Sequence, residues 1–356
     1  MKTLSSLIIR PTQPDDAFEF YKIITHPKVA RNLLQLPSME FPRTQRFLTE
    51  QIPGHHRLVA EKNGHLVGAV GLVIPQNPRR YHSGDLDLVI HPEYWGSGIG
   101  TALMRSALDL GDNWFNLLRI ELEVFASNSR AISLYEKLGF KIEGTKRKAA
   151  FGSGHYHDMH IMARLRTPLP RVNMIEPPLF PQRIDVADII VRPQDEKDAV
   201  ELHEIWTHPA VARSTNHYPS LELPYYKEQA KKIDDRLYRL VAVAKHNNGT
   251  QKVVGNLNLK QSQNARLTHS AWFGMAIHPD YWRIGVGSRL MDTVIDLVDN
   301  WLGLKRLSLE VHSDNTAAIK LYQAYGFRLE GTKRLYSYGD GRWTDTHFMA
   351  RIKNSN

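Results

Sequence analysis

The 356-residue chain has no cysteine. That excludes a disulfide framework, a thiol nucleophile and a cysteine metal site. No apolar run approaches the ~20 residues that a membrane span requires. The start, Met1-Lys2-Thr3-Leu4, leads into a short strand and lacks the pattern of a secretory signal. The formal net charge is +9, yet basic residues are interleaved with acidic ones rather than gathered in a block. This describes a mildly basic surface suited to a polyanionic small ligand, not a nucleic-acid platform. The expectation is a cytoplasmic enzyme with no membrane or nucleic-acid partner and no metal.

What the chain does have, it has twice. Trp95-Gly96-Ser97-Gly98-Ile99-Gly100 opens an apolar helical stretch, and Trp282-Arg283-Ile284-Gly285-Val286-Gly287 opens another. The shift from Gly98 to Gly285 is 187 positions. The same shift carries His91-Pro92 to His278-Pro279, Asn128 to Asn315, Tyr135 to Tyr322 and Gly139-Phe140 to Gly326-Phe327. So constant a spacing marks a duplicated domain. Upstream the shift is 182, as from Arg10-Pro11 to Arg192-Pro193 and from His26-Pro27 to His208-Pro209. Extra residues therefore enter the second copy near Lys245–Thr250, a polar hairpin tip that tolerates insertion. Between the copies, Thr167-Pro168-Leu169-Pro170 and Glu176-Pro177-Pro178-Leu179-Phe180-Pro181 form a proline-rich spacer. The expected domains are 1–166 and 187–356, joined by a linker at 167–186.

Periodicity gives the elements of one copy. Strands are expected at 7–10, 57–61, 66–74, 86–90, 119–125, 140–143 and 157–164. Helices are expected at 15–25, 43–51, 98–114 and 129–138. Asn63-Gly64 signals a hairpin, and Gly139 a helix stop. The order predicts a mixed α/β fold, a mixed sheet with helices packed on it.

A strand, glycines and a helix N-terminus make a generic anion cradle, because first-turn amides lack acceptors and the helix dipole attracts negative charge. A purely structural turn has the same sequence. Neither the Gly-x-x-x-x-Gly-Lys-Ser/Thr loop nor a Gly-x-Gly-x-x-Gly opening a first βαβ unit is present. Downstream, Asn128-x-x-Ala131-x-x-Leu134-Tyr135-Glu136-Lys137-Leu138-Gly139-Phe140 recurs as Asn315-x-x-Ala318-x-x-Leu321-Tyr322-Gln323-Ala324-Tyr325-Gly326-Phe327. With the glycine loop, these stretches resemble the GCN5-related N-acetyltransferase (GNAT) superfamily in both halves. Trp95 and Trp282 stand where that family's loop usually has arginine or glutamine. A closer resemblance is to bacterial amino-acid N-acetyltransferases. It rests on Arg79-Arg80-Tyr81-His82-Ser83 and Arg266-Leu267-Thr268-His269-Ser270, on Asp112-Asn113-Trp114 and Asp299-Asn300-Trp301, and on a Glu-Gly-Thr-Lys-Arg segment followed by Asp-x-His in each copy.

The resemblance implies two tandem GNAT domains, each with a mostly antiparallel sheet and a splayed central strand pair that receives acetyl-CoA. Pantetheine would pair with Leu88, Val89 and Ile90, or with Ala276 and Ile277. Pyrophosphate would sit on the amides of Gly96, Ser97, Gly98, Ile99, Gly100 and Thr101, or of Arg283, Ile284, Gly285, Val286, Gly287 and Ser288. Asn128 and Asn315 match the family's pantetheine contact, though asparagine there is also a favoured helix cap. Tyr135 and Tyr322 match the tyrosine beside the acetyl-CoA sulfur, where a phenol protonates or hydrogen-bonds the leaving thiolate. For the base, Glu123, Glu310, His82 and His269 are candidates, with a water chain as the other option. The expected acceptor is the primary amine of a small molecule, a free amino acid first. A protein N-terminus and an acyl-CoA-binding role with one non-catalytic half are the alternatives. The halves also permit an intramolecular pseudo-dimer or a homodimer.

The copies are unequal. Asp85-Leu86-Asp87 becomes Trp272-Phe273-Gly274, and Glu121 becomes Ser308. A more acidic first pocket, and different acceptors for the two halves, are expected.

Overall fold

The computed structural model describes residues 7–36, 38–50, 52–166, 186–217, 220 and 222–353. The expected linker lies outside these residues except for Val186, which opens a strand. Contacts divide the chain into two compact units, Met1–Pro170 with Asn264–Arg266, and Arg171–Gln263 with Leu267–Asn356.

Unit 1 runs β1 (Leu7–Pro11), α1 (Ala17–Thr25), α2 (Pro27–Ala30), α3 (Phe41–Thr49), β2 (His55–Lys62), β3 (His65–Val73), β4 (Ser83–Ile90), α4 (Ile99–Asp109), β5 (Arg119–Phe125), α5 (Ser129–Lys137), β6 (Lys141–Gly152) and β7 (His155–Leu165). Unit 2 repeats the plan. It has β8 (Val186–Pro193), α6 (Ala199–Thr207), α7 (Pro209–Arg213), α8 (Leu223–Lys231), β9 (Leu237–His246), β10 (Gln251–Gln261), β11 (Ser270–Ile277), α9 (Val286–Asp296), β12 (Arg306–His312), α10 (Thr316–Ala324), β13 (Arg328–Gly339) and β14 (Arg342–Ile352). The strand order is β1-β2-β3-β4-β5-β7-β6 in unit 1 and β8-β9-β10-β11-β12-β14-β13 in unit 2. Every pairing within a unit is antiparallel except β4 with β5 and β11 with β12.

Each sheet buries both faces. In unit 1, α4 and α5 cover one face through Leu103, Met104 and Tyr135, packed on Val70, Leu86 and Leu122. Helices α1 and α3 cover the other through Phe20, Ile23 and Leu48 on Val59, Ala69 and Val89. Unit 2 repeats both layers. Leu103 and its counterpart Leu290 are fully buried, and each such side chain contributes about 1.5–3 kcal/mol by leaving water.

Three details depart from the periodic pattern. The long helix expected over 98–114 is α-helical only to Asp109 and then widens into a π-turn, Leu110–Trp114, which recurs as Leu297–Trp301. Asp112 closes that turn against β7 through a two-pronged bond to Arg164, as Asp299 does with Arg351. Strand β6 reaches Gly152, far beyond Glu143, because a bulge between Lys146 and Ala150 interrupts its alternation. Lys148 sits there at φ 48°, its N–H held by the Asp158 carboxylate; Leu335 and Asp345 repeat the device. The Asp-x-His segment is thus structural at both ends, since His160 also bonds Thr145, and His347 bonds Thr332.

Candidate active site

The two parallel strands part company early. β4 pairs with β5 only at Ser83–Arg119, Gly84–Ile120 and Asp85–Glu121. Beyond Asp85, β4 keeps β3 on one side and leaves its other edge open. In unit 2, β11 pairs with β12 only at Ser270–Arg306, Ala271–Leu307 and Trp272–Ser308. An open edge is a row of backbone donors and acceptors able to receive an extended amide ligand. Leu88, Val89 and Ile90, and Ala276 and Ile277, lie on these edges.

The glycine loop follows directly. Gly96 and Gly98 have φ of 77° and 87°, and a Cβ at either would meet nothing within 4 Å. The chain therefore needs glycine for its left-handed turns and keeps the space above them clear. The first helical bond runs from the Ala102 N–H to Gly98 C=O, so the amides of Ile99, Gly100 and Thr101 precede the ladder. Gly285 caps α9 in the same way at φ 94°. Arg283, however, takes φ 63° at the position of Gly96, a strained choice for a bulky residue. The tryptophans that depart from the family's loop pattern have a local task. The Trp95 indole N–H donates to Ile90 C=O at 3.0 Å and that of Trp282 to Ile277 C=O at 2.8 Å, tying each loop to the end of its strand. Gly100 and Gly287 let Leu134 and Leu321 pack closely, since a Cβ would lie 3.2 and 2.9 Å away.

Tyr135 and Tyr322 are each 6% exposed. Neither hydroxyl has a hydrogen-bond partner among the described residues. Burial pushes both phenols above their ordinary pKa, and in unit 1 the Asp87 charge adds to the effect. Asn128 and Asn315 cap α5 and α10, accepting from the N–H of Ala131 and Ala318.

The expected bases are placed unevenly. Glu123 is paired with Lys146 at 2.5 Å, and Glu310 with Lys333 at 2.9 Å. His82 and His269 precede β4 and β11 at the end where the parallel strands are still paired, and their carbonyls accept from Arg119 and Arg306. His82 is five residues from Asp87, ~16 Å along an extended strand.

Asp87 is the residue that sequence reasoning missed as a proton acceptor. It lies just past the point of splay, with its carboxylate over Gly71, where a Cβ would be 2.5 Å from Oδ2. Asp87 is exposed to solvent, although surrounding protein partly desolvates its carboxylate. Desolvation raises its pKa, against the pull of Arg57 and the Gly71 N–H. Unit 2 exchanges the strands' roles: Gly274 replaces Asp87, and Asn258 replaces Gly71 across the same register. The signal was available in the alternation, which puts Asp85, Asp87 and Val89 on one face.

The expectation of a broadly acidic first pocket needs correction. Glu121 is buried and bonded to Arg119 at 2.6 Å and to Arg80 at 3.2 Å, while Arg80 also lies 3.9 Å from Asp85. Arg119 further pairs with Glu143. These arginines offset Glu121 and Asp85, so the difference in cleft charge narrows to Asp87.

The sequence profile described as "Acetyltransferase (GNAT) family" matches residues 27–140 and 199–327, more than half the chain. L-amino acid N-acetyltransferase AaaT of Escherichia coli K12 is 37% identical over 163 residues, 46% of this chain and 100% of that protein. Spermidine N(1)-acetyltransferase of the same strain is 29% identical over 160 residues, 44% of this chain and 85% of that protein. Among solved structures, a GNAT-family acetyltransferase from Streptococcus pneumoniae is 29% identical, covering 45% of this chain and 98% of that one, with a TM-score of 0.41. With a repeated loop, a repeated splay and a family match in each half, the chain belongs to the GNAT acetyltransferase family and is an N-acetyltransferase.

Proposed function

We propose that the chain transfers an acetyl group from acetyl-CoA to the primary amine of a free amino acid, with unit 1 as the base-assisted half. The observation that carries this reading is Asp87, a carboxylate at the splay and near Tyr135. The 37% identity to an L-amino acid N-acetyltransferase favours the amino-acid acceptor.

Acetyl-CoA supplies a thioester. The amides of Gly96 to Thr101 and of Arg283 to Ser288 hold its pyrophosphate, and the open edges of β4 and β11 pair with its pantetheine. The Asn128 and Asn315 carboxamides add a contact there. Asp87 takes one proton from the acceptor ammonium, so that the neutral nitrogen can form the C–N bond as the C–S bond breaks. Its raised pKa makes it a stronger base than an ordinary carboxylate, closer to the operating pH. Tyr135 faces the leaving sulfur. A thiol has a pKa near ~8.5, below that of a phenol even in water, and burial raises the phenol further. Complete proton transfer to sulfur is uphill, so Tyr135 acts chiefly as a hydrogen-bond donor to the departing thiolate. As the C–S bond breaks, the nitrogen sheds its second proton to solvent and the sulfur takes one from solvent, so the products are the amide, CoA thiol and one proton on Asp87. Glu123 and Glu310, already paired with lysines, hold those lysines in place; His82 and His269 hold the paired end of the strands.

Thiol release from acetyl-CoA across amino acids, polyamines and peptides tests the reading. The expected result is fastest release with free amino acids. Release confined to polyamines or to peptide N-termini overturns it.

A further inference from the structure

A second residue of unit 1 stands in register with Asp87. Arg57 on β2 faces Gly71 on β3, which faces Asp87 on β4, so the three form one row across the sheet. Strands are spaced about 4.8 Å apart, and the glycine between lets the Asp87 carboxylate lean across toward Arg57. Arg57 is half-buried, its guanidinium 4.4 Å from the Phe47 ring centre. Its Nη2 lies 3.3 Å from His55 Nδ1; arginine has no acceptor, so the guanidinium donates. Arg10, Arg80, Arg119 and Arg164 all form ion pairs. Arg57 forms none among the described residues. Desolvation lowers its pKa and the nearby Asp87 charge partly offsets this.

We propose that Arg57 is the carboxylate subsite of unit 1. It would bind the α-carboxylate of an amino-acid acceptor while Asp87 receives the proton of the amine. The fixed fork of a guanidinium stacked on an aromatic ring matches a carboxylate's geometry. Unit 2 keeps the arginine and changes its surroundings. Arg239, the counterpart of Arg57, donates to Lys232 C=O at 2.9 Å. Gln229 replaces Phe47, Asn258 fills the place of Gly71, and Gly274 replaces Asp87. On this proposal unit 2, with Gly274 for Asp87 and Asn258 for Gly71, lacks the paired carboxylate and guanidinium and suits an amine without a neighbouring carboxylate.

The inference rests on the amino-acid reading above, and one experiment separates the two. In a Tyr322→Phe background, kcat and KM are measured for the best free amino acid of the panel and for its own amide, which keeps the amine and lacks the carboxylate. Arg57→Gln should raise KM for the amino acid about tenfold to a hundredfold, the worth of a charge-assisted bond, and leave the amide within about twofold. Arg57→Lys, which keeps the charge but not the fork, should recover part of the loss. Retained thermal stabilisation by CoA shows that the variants fold. An equal loss on amino acid and amide overturns the subsite and leaves Arg57 as an electrostatic partner of Asp87. No thiol release by the unsubstituted protein with any amino acid overturns the amino-acid reading itself, and the subsite with it.

Discussion

The two units share the backbone features of the proposed cofactor side and differ in side chains at the proposed amine side. Both have three parallel pairs before the splay, a left-handed glycine capping the long helix, an indole tied to the last strand carbonyl and a tyrosine that is 6% exposed. Yet Asp87 and Gly71 in unit 1 become Gly274 and Asn258 in unit 2. A ligand common to both sites constrains the backbone, which duplicates faithfully. On the proposed reading the acceptor is recognised by side chains on one face of three strands, and in this row two of the three differ between the units.

The largest test of this difference is Asp87→Asn. Loss of a general base costs about 10²–10⁴-fold, and the decrease should appear only in the activity that survives Tyr322→Phe. Stability should move the other way. A carboxyl whose folded pKa is raised carries a cost above that pKa, because the charged form is disfavoured in the folded state. Asp87→Asn should therefore leave the melting temperature unchanged or raise it at neutral pH. A fall in melting temperature along with activity would make Asp87 a structural residue.

The tyrosines come next. A hydrogen bond to a charged group is worth about 1.5–3 kcal/mol, or roughly tenfold to a hundredfold in rate. Tyr135→Phe and Tyr322→Phe should each lose about that much, against different amines of one panel. Identical loss profiles would mean that the two units serve one acceptor. The smallest effect is expected at Arg283, whose left-handed backbone occupies the place of Gly96. Arg283→Gly should relieve strain and stabilise unit 2 by about 1 kcal/mol, seen in chemical denaturation. If it also weakens CoA binding at unit 2, the guanidinium serves the phosphate; if binding is unchanged, the loop amides suffice.

Much of the fold was legible because it is periodic or repeated. The 187-residue shift, the Asn63-Gly64 turn and the Gly139 stop are local signals, and the structure has φ of 52° and 78° at that turn and 89° at that stop. The extent of β6 was not legible, since the bulge held by Asp158 breaks the alternation. Nor was the π-turn after Asp109, which α-helical periodicity does not distinguish. In the site, the loop and the tyrosines were readable as motifs. Glu121 looked like free acidity because its partners, Arg80 and Arg119, are placed by strand register. Asp87 was legible only as acidity and Arg57 not at all, because their relation runs through Gly71, the register partner of both on the strand between.

The most direct test is the pH dependence of kcat/KM for the two single-tyrosine variants. With Tyr322→Phe, which leaves unit 1, activity should rise with pH through an acid limb above the ordinary carboxylate range, because Asp87 must lose its proton to act and its pKa is raised. Asp87→Asn should abolish that limb. With Tyr135→Phe, which leaves unit 2 and its Gly274, no such limb should appear. The same acid limb in both variants would contradict the assignment of Asp87 and the division between the units.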